Sequence, residues 1–312
     1  MTANASRPMA APKNSATVLL LRPGAAGLEV LMLKRHASMA IAGGEWVFPG
    51  GGCDIGDSSE RMLSRVIRPE LRVLDALRRS SGFEPCDESV ALGLGVTACR
   101  ETFEESGVLL ARHSSGLPCA DSLASELQQQ RLAQYGSCAF IVMLVRHDFV
   151  LQLDRLVFWS NWITPSMAPR RFDTRFFLMP MPPGQEAAPD TGESQEARWV
   201  GVDWPVGTAD LQPPITAPPT LFSMRELAEQ FEKLGSLSAL LDGARHVSTS
   251  PIMLKVVTTE NGPLGLLPWD AEYNGAPGVG VACDAAMRAR YAGFPQRVGV
   301  NVPGKPSGKT AP

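Results

Sequence analysis

The chain has 312 residues, 44% hydrophobic and 20% charged, with a net charge of −3. That apolar fraction is enough for a packed core and excludes global disorder. The slight acidity argues against a dedicated nucleic-acid or anionic-membrane binder, which would be basic. No apolar run approaches the roughly 18–20 residues of a membrane span, and no fixed repeat period recurs. The six cysteines form no CxxC pair, so a zinc site of the usual spacing is not expected. The first apolar run, residues 18–21, stops at Arg22-Pro23 and is too short for a signal-peptide core. The reading is a cytoplasmic protein with reduced thiols.

In chain order, residues 16–21 and 28–34 are apolar and β-compatible around Arg-Pro-Gly-Ala-Ala-Gly, which predicts a hairpin. Residues 46–48 predict a short strand running into Pro49-Gly50-Gly51-Gly52, expected to be a sharp turn of unusual backbone conformation. Arg61, Arg65, Arg68 and Arg72 recur at helical spacing and predict one basic face, broken at Pro69. That face is either solvated or a lid over an anionic substrate. Residues 90–106 predict a helix closed by Gly107, and 121–134 another. Residues 138–145 fit a strand or a buried helix equally. Strands are expected at 156–164, 176–181 and 198–202. A Pro-rich stretch, 205–219, marks a boundary, and a Ser223/Glu226 capping box opens a helix. A late hairpin is expected over 252–267, turning at Asn261-Gly262. Trp46, Phe48, Trp159 and Trp162 read as core.

The chemistry is concentrated in Arg100-Glu101-Thr102-Phe103-Glu104-Glu105-Ser106-Gly107. On a helix, Glu101, Glu104 and Glu105 crowd one turn. They also occupy the last turn, where the backbone dipole is negative. Mutual repulsion and the dipole both oppose this placement, and a divalent cation reverses both. Hard oxygen donors without His or Cys call for Mg²⁺ or Mn²⁺. Glycines 50–52 would let backbone approach a metal or phosphate closely. At average residue usage, RExxEExG arises by chance on the order of once in a million start positions. No Ser–His or Cys–His arrangement indicates a covalent route.

Pro49-Gly-Gly followed by this motif resembles the Nudix box, GX5EX7REUXEEXGU. The box is interrupted: the early acidic position falls on Asp57, and 42 residues, 58–99, stand where seven are usual. Such an interrupted box resembles the Nudix hydrolase branch that holds the peroxisomal and mitochondrial-type coenzyme A diphosphatases. Arg171-Phe-Asp-Thr-Arg-Phe-Phe177, Arg198-Trp-Val200 and Leu267-Pro-Trp-Asp270 add to the likeness. The resemblance implies a Nudix α/β/α sandwich with a mixed sheet, a helical insertion in the box and a C-terminal extension. The corresponding boundaries are a mobile tail at 1–14 and a Nudix domain at 15–204, with the insertion at 58–92. An extension packs on it over 205–274, and a loosely ordered tail follows over 275–312.

By the same resemblance Glu101, Glu104 and Glu105 hold Mg²⁺ (or Mn²⁺), with the Gly51 carbonyl and Glu193 as further ligands and Glu196 as the second choice for the latter. Glu101 is the first candidate to orient or deprotonate water, and Arg100 fixes the carboxylates. The interruption leaves Asp57 without an assigned role. Arg35, Arg170, Arg171 and Arg175 are candidate substrate contacts, because guanidinium pairs with phosphate. For Arg170, Arg171 and Arg175, pairing with Asp173 or another acid is the alternative. The implied activity is a metal-dependent pyrophosphohydrolase on a nucleoside diphosphate linked to another group, with coenzyme A or acyl-CoA first. ADP-ribose, dinucleotides and sugar nucleotides are alternatives, as is a non-hydrolytic nucleotide-binding module. The expected partner is this small-molecule substrate, not nucleic acid or membrane, and a homodimer is allowed.

Overall fold

β1 (Lys13–Gly24) and β2 (Gly27–Arg35) form the expected hairpin, pairing antiparallel from Leu21↔Val30 to Gly24↔Gly27. Both faces of β1 are buried, which is why it reads as a continuous apolar run rather than an alternation. The computed structural model describes residues 10–39, 42–79, 85–131, 136–190, 192–203, 209, 211–213, 215–247, 249–260 and 262–300. The first nine residues of the expected tail, Asn261 of the late hairpin, and residues 301–312 lie outside them.

After the hairpin come β3 (Trp46–Val47), β4 (Gly50–Gly52), α1 (Glu60–Leu63), β5 (Val66–Ile67) and α2 (Leu71–Arg79). The long helix α3 (Glu88–Ser106) is followed by β6 (Ala111–His113), α4 (Asp121–Gln130), α5 (Ser137–Arg146) and β7 (Phe149–Gln152). Then β8 (Val157–Ile163), β9 (Phe172–Pro180) and β10 (Ser194–Gly201) complete the middle of the chain. The C-terminal part holds α6 (Pro218–Leu234), α7 (Leu237–Ala244), β11 (Pro251–Met253), β12 (Lys255–Thr259), β13 (Gly262–Leu266), α8 (Ala285–Arg290) and β14 (Arg297–Gly299).

The main sheet runs β10-β2-β1-β9-β8-β11, with β3 on β2 and β4 on β1. It is mixed: β1 is parallel to β9 and antiparallel to β2 and β4. One face packs Ala16, Val18, Leu20 and Phe177 against α3 and the box insertion. The opposite face packs Leu19, Leu21, Trp159 and Leu178 against the C-terminal helices. Helices thus cover both faces, the α/β/α arrangement expected. No helix among the described residues is long and apolar enough to cross a membrane.

Several local expectations fail for identifiable reasons. The basic face does not exist, because strand β5 interrupts the helix and separates the arginines. Arg65 pairs with Asp148, Arg68 with Glu88 and Arg72 with Glu70. The insertion sends Met62, Val73, Leu74 and Leu77 into the core beside α3, so it is a structural layer rather than a lid. Residues 137–146 are helical. Helix α6 begins at Pro218 rather than at Ser223, since proline at the first helical position is preorganised in φ; Ser223 lies inside it, buried. Residues 275–300, expected to be loose, contain α8 and β14 and bury Met287, Tyr291 and Phe294.

One ion pair helps fasten this last segment. Arg290 Nε donates to Glu226 of α6 at 2.5 Å, and its guanidinium stands 4.9 Å from the Trp159 ring centroid. Both partners are buried, so removing one leaves the other charged and uncompensated. Arg290→Met is expected to cost about 3–5 kcal/mol in urea denaturation, and Glu226→Leu combined with it to recover most of that loss.

Candidate active site

Helix α3 ends as the sequence indicates: Gly107 adopts φ 73° and its N–H donates to the Phe103 carbonyl. Glycine accepts that left-handed conformation without a Cβ penalty. The last turn thereby sets Arg100, Glu101, Glu104 and Glu105 against the glycine strand β4.

Arg100 is the hub, only 4% exposed. Its Nε and Nη2 donate to the two oxygens of Asp57 at 2.9 and 2.8 Å. Its Nη1 donates to Glu101 and to Glu104, both at 2.9 Å, and Nη2 also reaches the Gly52 carbonyl at 3.0 Å. Glu104 accepts a further bond from the Gly136 N–H at 2.7 Å, and Glu105 one from the Gly50 N–H at 2.9 Å. Arg35 lies 3.7 Å from Glu105 and 4.0 Å from Glu193.

The glycines serve by size. Glycines 50–52 pair with β1 as a strand and none has positive φ, contrary to the expected strained turn. A Cβ on Gly51 would sit 2.5 Å from the Glu101 carboxyl carbon, and one on Gly50 2.5 Å from the Ala16 carbonyl oxygen. The backbone therefore lies directly against the acidic turn.

Asp57 has a place the sequence reading did not give it. It is fully buried, and besides Arg100 it accepts from Thr97 Oγ1 at 2.8 Å and the Asp54 N–H at 2.9 Å. The signal was present, since Asp57 occupies the early acidic position of the box; the interruption obscured it. Two other residues were missed outright. Arg131 donates to the carbonyls of Glu104, Gln128 and Ala188, placing positive charge at the C-terminal end of α3 where the dipole favours it. Asp190 accepts from the N–H groups of Gly192 and Glu193, which fixes the loop that presents Glu193.

The remaining candidates fall elsewhere. Glu196 pairs with Arg198 on β10. Arg170 is exposed in the turn before β9 and shares no hydrogen bond or ion pair with the acidic turn. Arg171 spends its donors on the Thr164 and Ala10 carbonyls and Met253 Sδ. Arg175 is fully buried and pairs with Asp173 at 2.9 Å. Alternate residues of a strand share a face, so Asp173 is the ready partner of Arg175 on β9. Arg175 reaches β1 through Asn14 at 3.3 Å, and its Nε and Nη2 are buried without a hydrogen-bond partner.

The electrostatics show strong frustration. Burial, then the charge of Glu101, pushes Glu105 up to about 8 against the Gly50 N–H and Arg35. Burial likewise raises Glu101 to about 7, with Arg100 opposing and Glu104 adding to the rise. Glu104 is raised by burial too. Burial works against the Arg100 charge, yet the Asp57 hydrogen bonds and the surrounding carboxylates hold it above its ordinary range. Three acids, Asp57, Glu101 and Glu104, share the Arg100 cation, and Glu105 meets Arg35 only at 3.7 Å, so the donor set suits an added divalent ion: all hard oxygen, short of positive charge. Among the described residues no three acidic, His or Cys side chains already converge as a cage.

The family model described as the NUDT19 Nudix domain matches residues 3–227, and the chain belongs to this family of Nudix hydrolases. Acyl-coenzyme A diphosphatase NUDT19 of Homo sapiens is 27% identical, covering 80% of this chain and 74% of its own. The protein of that name from Gallus gallus is 28% identical with the same coverage. The crystal structure of a NUDIX hydrolase from Alicyclobacillus acidocaldarius superposes with a TM-score of 0.54 at 27% identity, over 71% of this chain and 93% of that one. Nudix hydrolases generally use divalent metals.

The raised carboxylates set a pH dependence. Glu105 rises from an ordinary 4.5 to about 8 in the folded chain, so the metal-free fold loses stability as pH climbs through that window. Glu105→Gln removes this titrating group. Its Tm without metal is expected to gain on wild type between about pH 5 and about pH 9, a trend that thermal unfolding in chelator checks.

Proposed function

We propose that this chain hydrolyses the phosphoanhydride of coenzyme A or acyl-CoA, using Mg²⁺ or Mn²⁺, to give phosphopantetheine and adenosine 3′,5′-bisphosphate. The observation that carries the substrate is the likeness to acyl-coenzyme A diphosphatases over 80% of the chain. The reaction class rests on the acidic turn around Arg100.

In this reading Glu101, Glu104, Glu105 and Glu193, with the Gly51 carbonyl, hold the metal. A bound divalent ion supplies neutralisation of the diphosphate charge and a more acidic water. Arg100 and Asp57 hold Glu101 and Glu104 in place. Glu101 stands against the Gly51 backbone and accepts from Arg100 Nη1 at 2.9 Å, and it is the carboxylate assigned to orient or take the proton from the attacking water. Oxygen of that water bonds to one phosphorus as the bridging P–O bond breaks, and the departing phosphate leaves with the bridging oxygen. Gly51 matters because its missing Cβ lets the backbone stand against Glu101.

The test is a product-resolved assay on CoA, acyl-CoA, ADP-ribose and diadenosine polyphosphates with Mg²⁺ or Mn²⁺. Adenosine 3′,5′-bisphosphate release from CoA or acyl-CoA is expected to dominate. Glu104→Gln and Glu105→Gln are expected to lower kcat by about a hundredfold or more while the fold persists. Preferential turnover of ADP-ribose would overturn the substrate. Inert wild type across the panel would favour a nucleotide-binding module.

A further inference from the structure

We propose that Arg35 is a movable counter-cation. It neutralises Glu105 and Glu193 while no metal ion stands between them, and turns to a substrate phosphate once a divalent cation takes those carboxylates. The proposal rests on the metal-dependent reading of the site given above.

The two arginines of the site are held differently. Arg100 makes five hydrogen bonds of 2.8–3.0 Å, all within ordinary hydrogen-bond range, and its donors are committed. Arg35 approaches Glu105 at 3.7 Å and Glu193 at 4.0 Å, distances that carry charge attraction without a hydrogen bond. Its Nε is buried with no hydrogen-bond partner. A guanidinium with a desolvated, unpaired N–H is not at its best position, and a planar phosphate-matching fork is available to a better partner.

The backbone around Arg35 is held by hydrogen bonds while its head group makes none among the described residues. Arg35 ends β2, pairs with Ser194 of β10, and donates its N–H to the Glu45 carbonyl at 3.0 Å. The next residue, His36, donates to the Glu193 carbonyl at 2.8 Å, so Arg35 and Glu193 are kept adjacent by the main chain. Glu105 Oε1 and Glu193 Oε2 both face the Arg35 fork. A doubly charged ion placed between them would replace Arg35 as counter-charge and repel it. The absence of a ready three-donor cage among the described residues fits this, because the acids are presently arranged about guanidinium groups.

The experiment is calorimetric titration of Mn²⁺ into the full chain without substrate. Arg35→Met removes the competing charge and is expected to bind Mn²⁺ about tenfold tighter than wild type, with Arg35→Lys close to wild type. At saturating Mn²⁺, ADP is expected to bind Arg35→Met about tenfold more weakly than wild type, for want of the phosphate partner. Unchanged or weaker Mn²⁺ binding by Arg35→Met overturns the proposal, and so does unchanged ADP binding. Arg35→Gln repeats both measurements should Arg35→Met not fold. Glu105→Gln separates the readings: if it binds Mn²⁺ as wild type does, the metal assignment of the acidic turn fails, not the role of Arg35 alone.

Discussion

A single buried guanidinium organises this molecule's acidic turn. Arg100 is bonded to Asp57, Glu101 and Glu104 and to the Gly52 carbonyl, and thereby joins the 3-10 turn at Ile55–Ser58, the glycine strand and the last turn of α3. Without it, the carboxylates would repel one another at the negative end of a helix dipole. With it, they remain together but incompletely compensated, as the raised Glu101 and Glu105 values show. The turn is thus held near a state that a cation would complete.

The interrupted box is explained by the same contact. Asp57 precedes the insertion and Arg100 follows it, yet the two meet in two hydrogen bonds. Residues between them leave the site, enter the core through Met62, Val73, Leu74 and Leu77, and pair β5 with β7 before returning in α3. Gly93 in the first half of α3, costly by propensity, lets Ser58 come against the helix backbone. An insertion can therefore be long without moving the chemistry, provided that its two ends are tied to one cation.

What was legible in the sequence was local or strongly constrained. The β1–β2 hairpin, the α3 terminus at Gly107 and the acidic turn each depend on short-range patterning that tertiary packing did not override. What was not legible depended on distant partners. Four arginines at helical spacing read as one face, but β5 separates them, because its strand partner in β7 lies about 85 residues away in sequence. Arg171 and Arg175 looked available for phosphate because sequence does not show which basic residues the fold consumes. Arg171 closes on the Ala10 and Thr164 carbonyls, and Arg175 on Asp173. The glycines of β4 are expected both to turn sharply and to let the backbone come close to a ligand; they keep ordinary strand conformation, and the close approach seen is to Glu101.

Stability and activity make opposing demands on this turn. Elsewhere two buried acids meet their cations closely, Glu226 with Arg290 and Asp173 with Arg175. In the acidic turn it does not: Glu105 is met by one backbone N–H and by a guanidinium 3.7 Å away. A close Arg–Glu105 pair would relieve the repulsion permanently and occupy the oxygen that the proposed metal ion would take. Leaving that carboxylate loosely matched costs the metal-free fold stability but keeps its coordination capacity. The hub that must not move and the carboxylate that must remain available differ by about one ångström in how closely their charges are met. In the proposed reading, that difference separates a structural ion pair from a carboxylate left free for a cation.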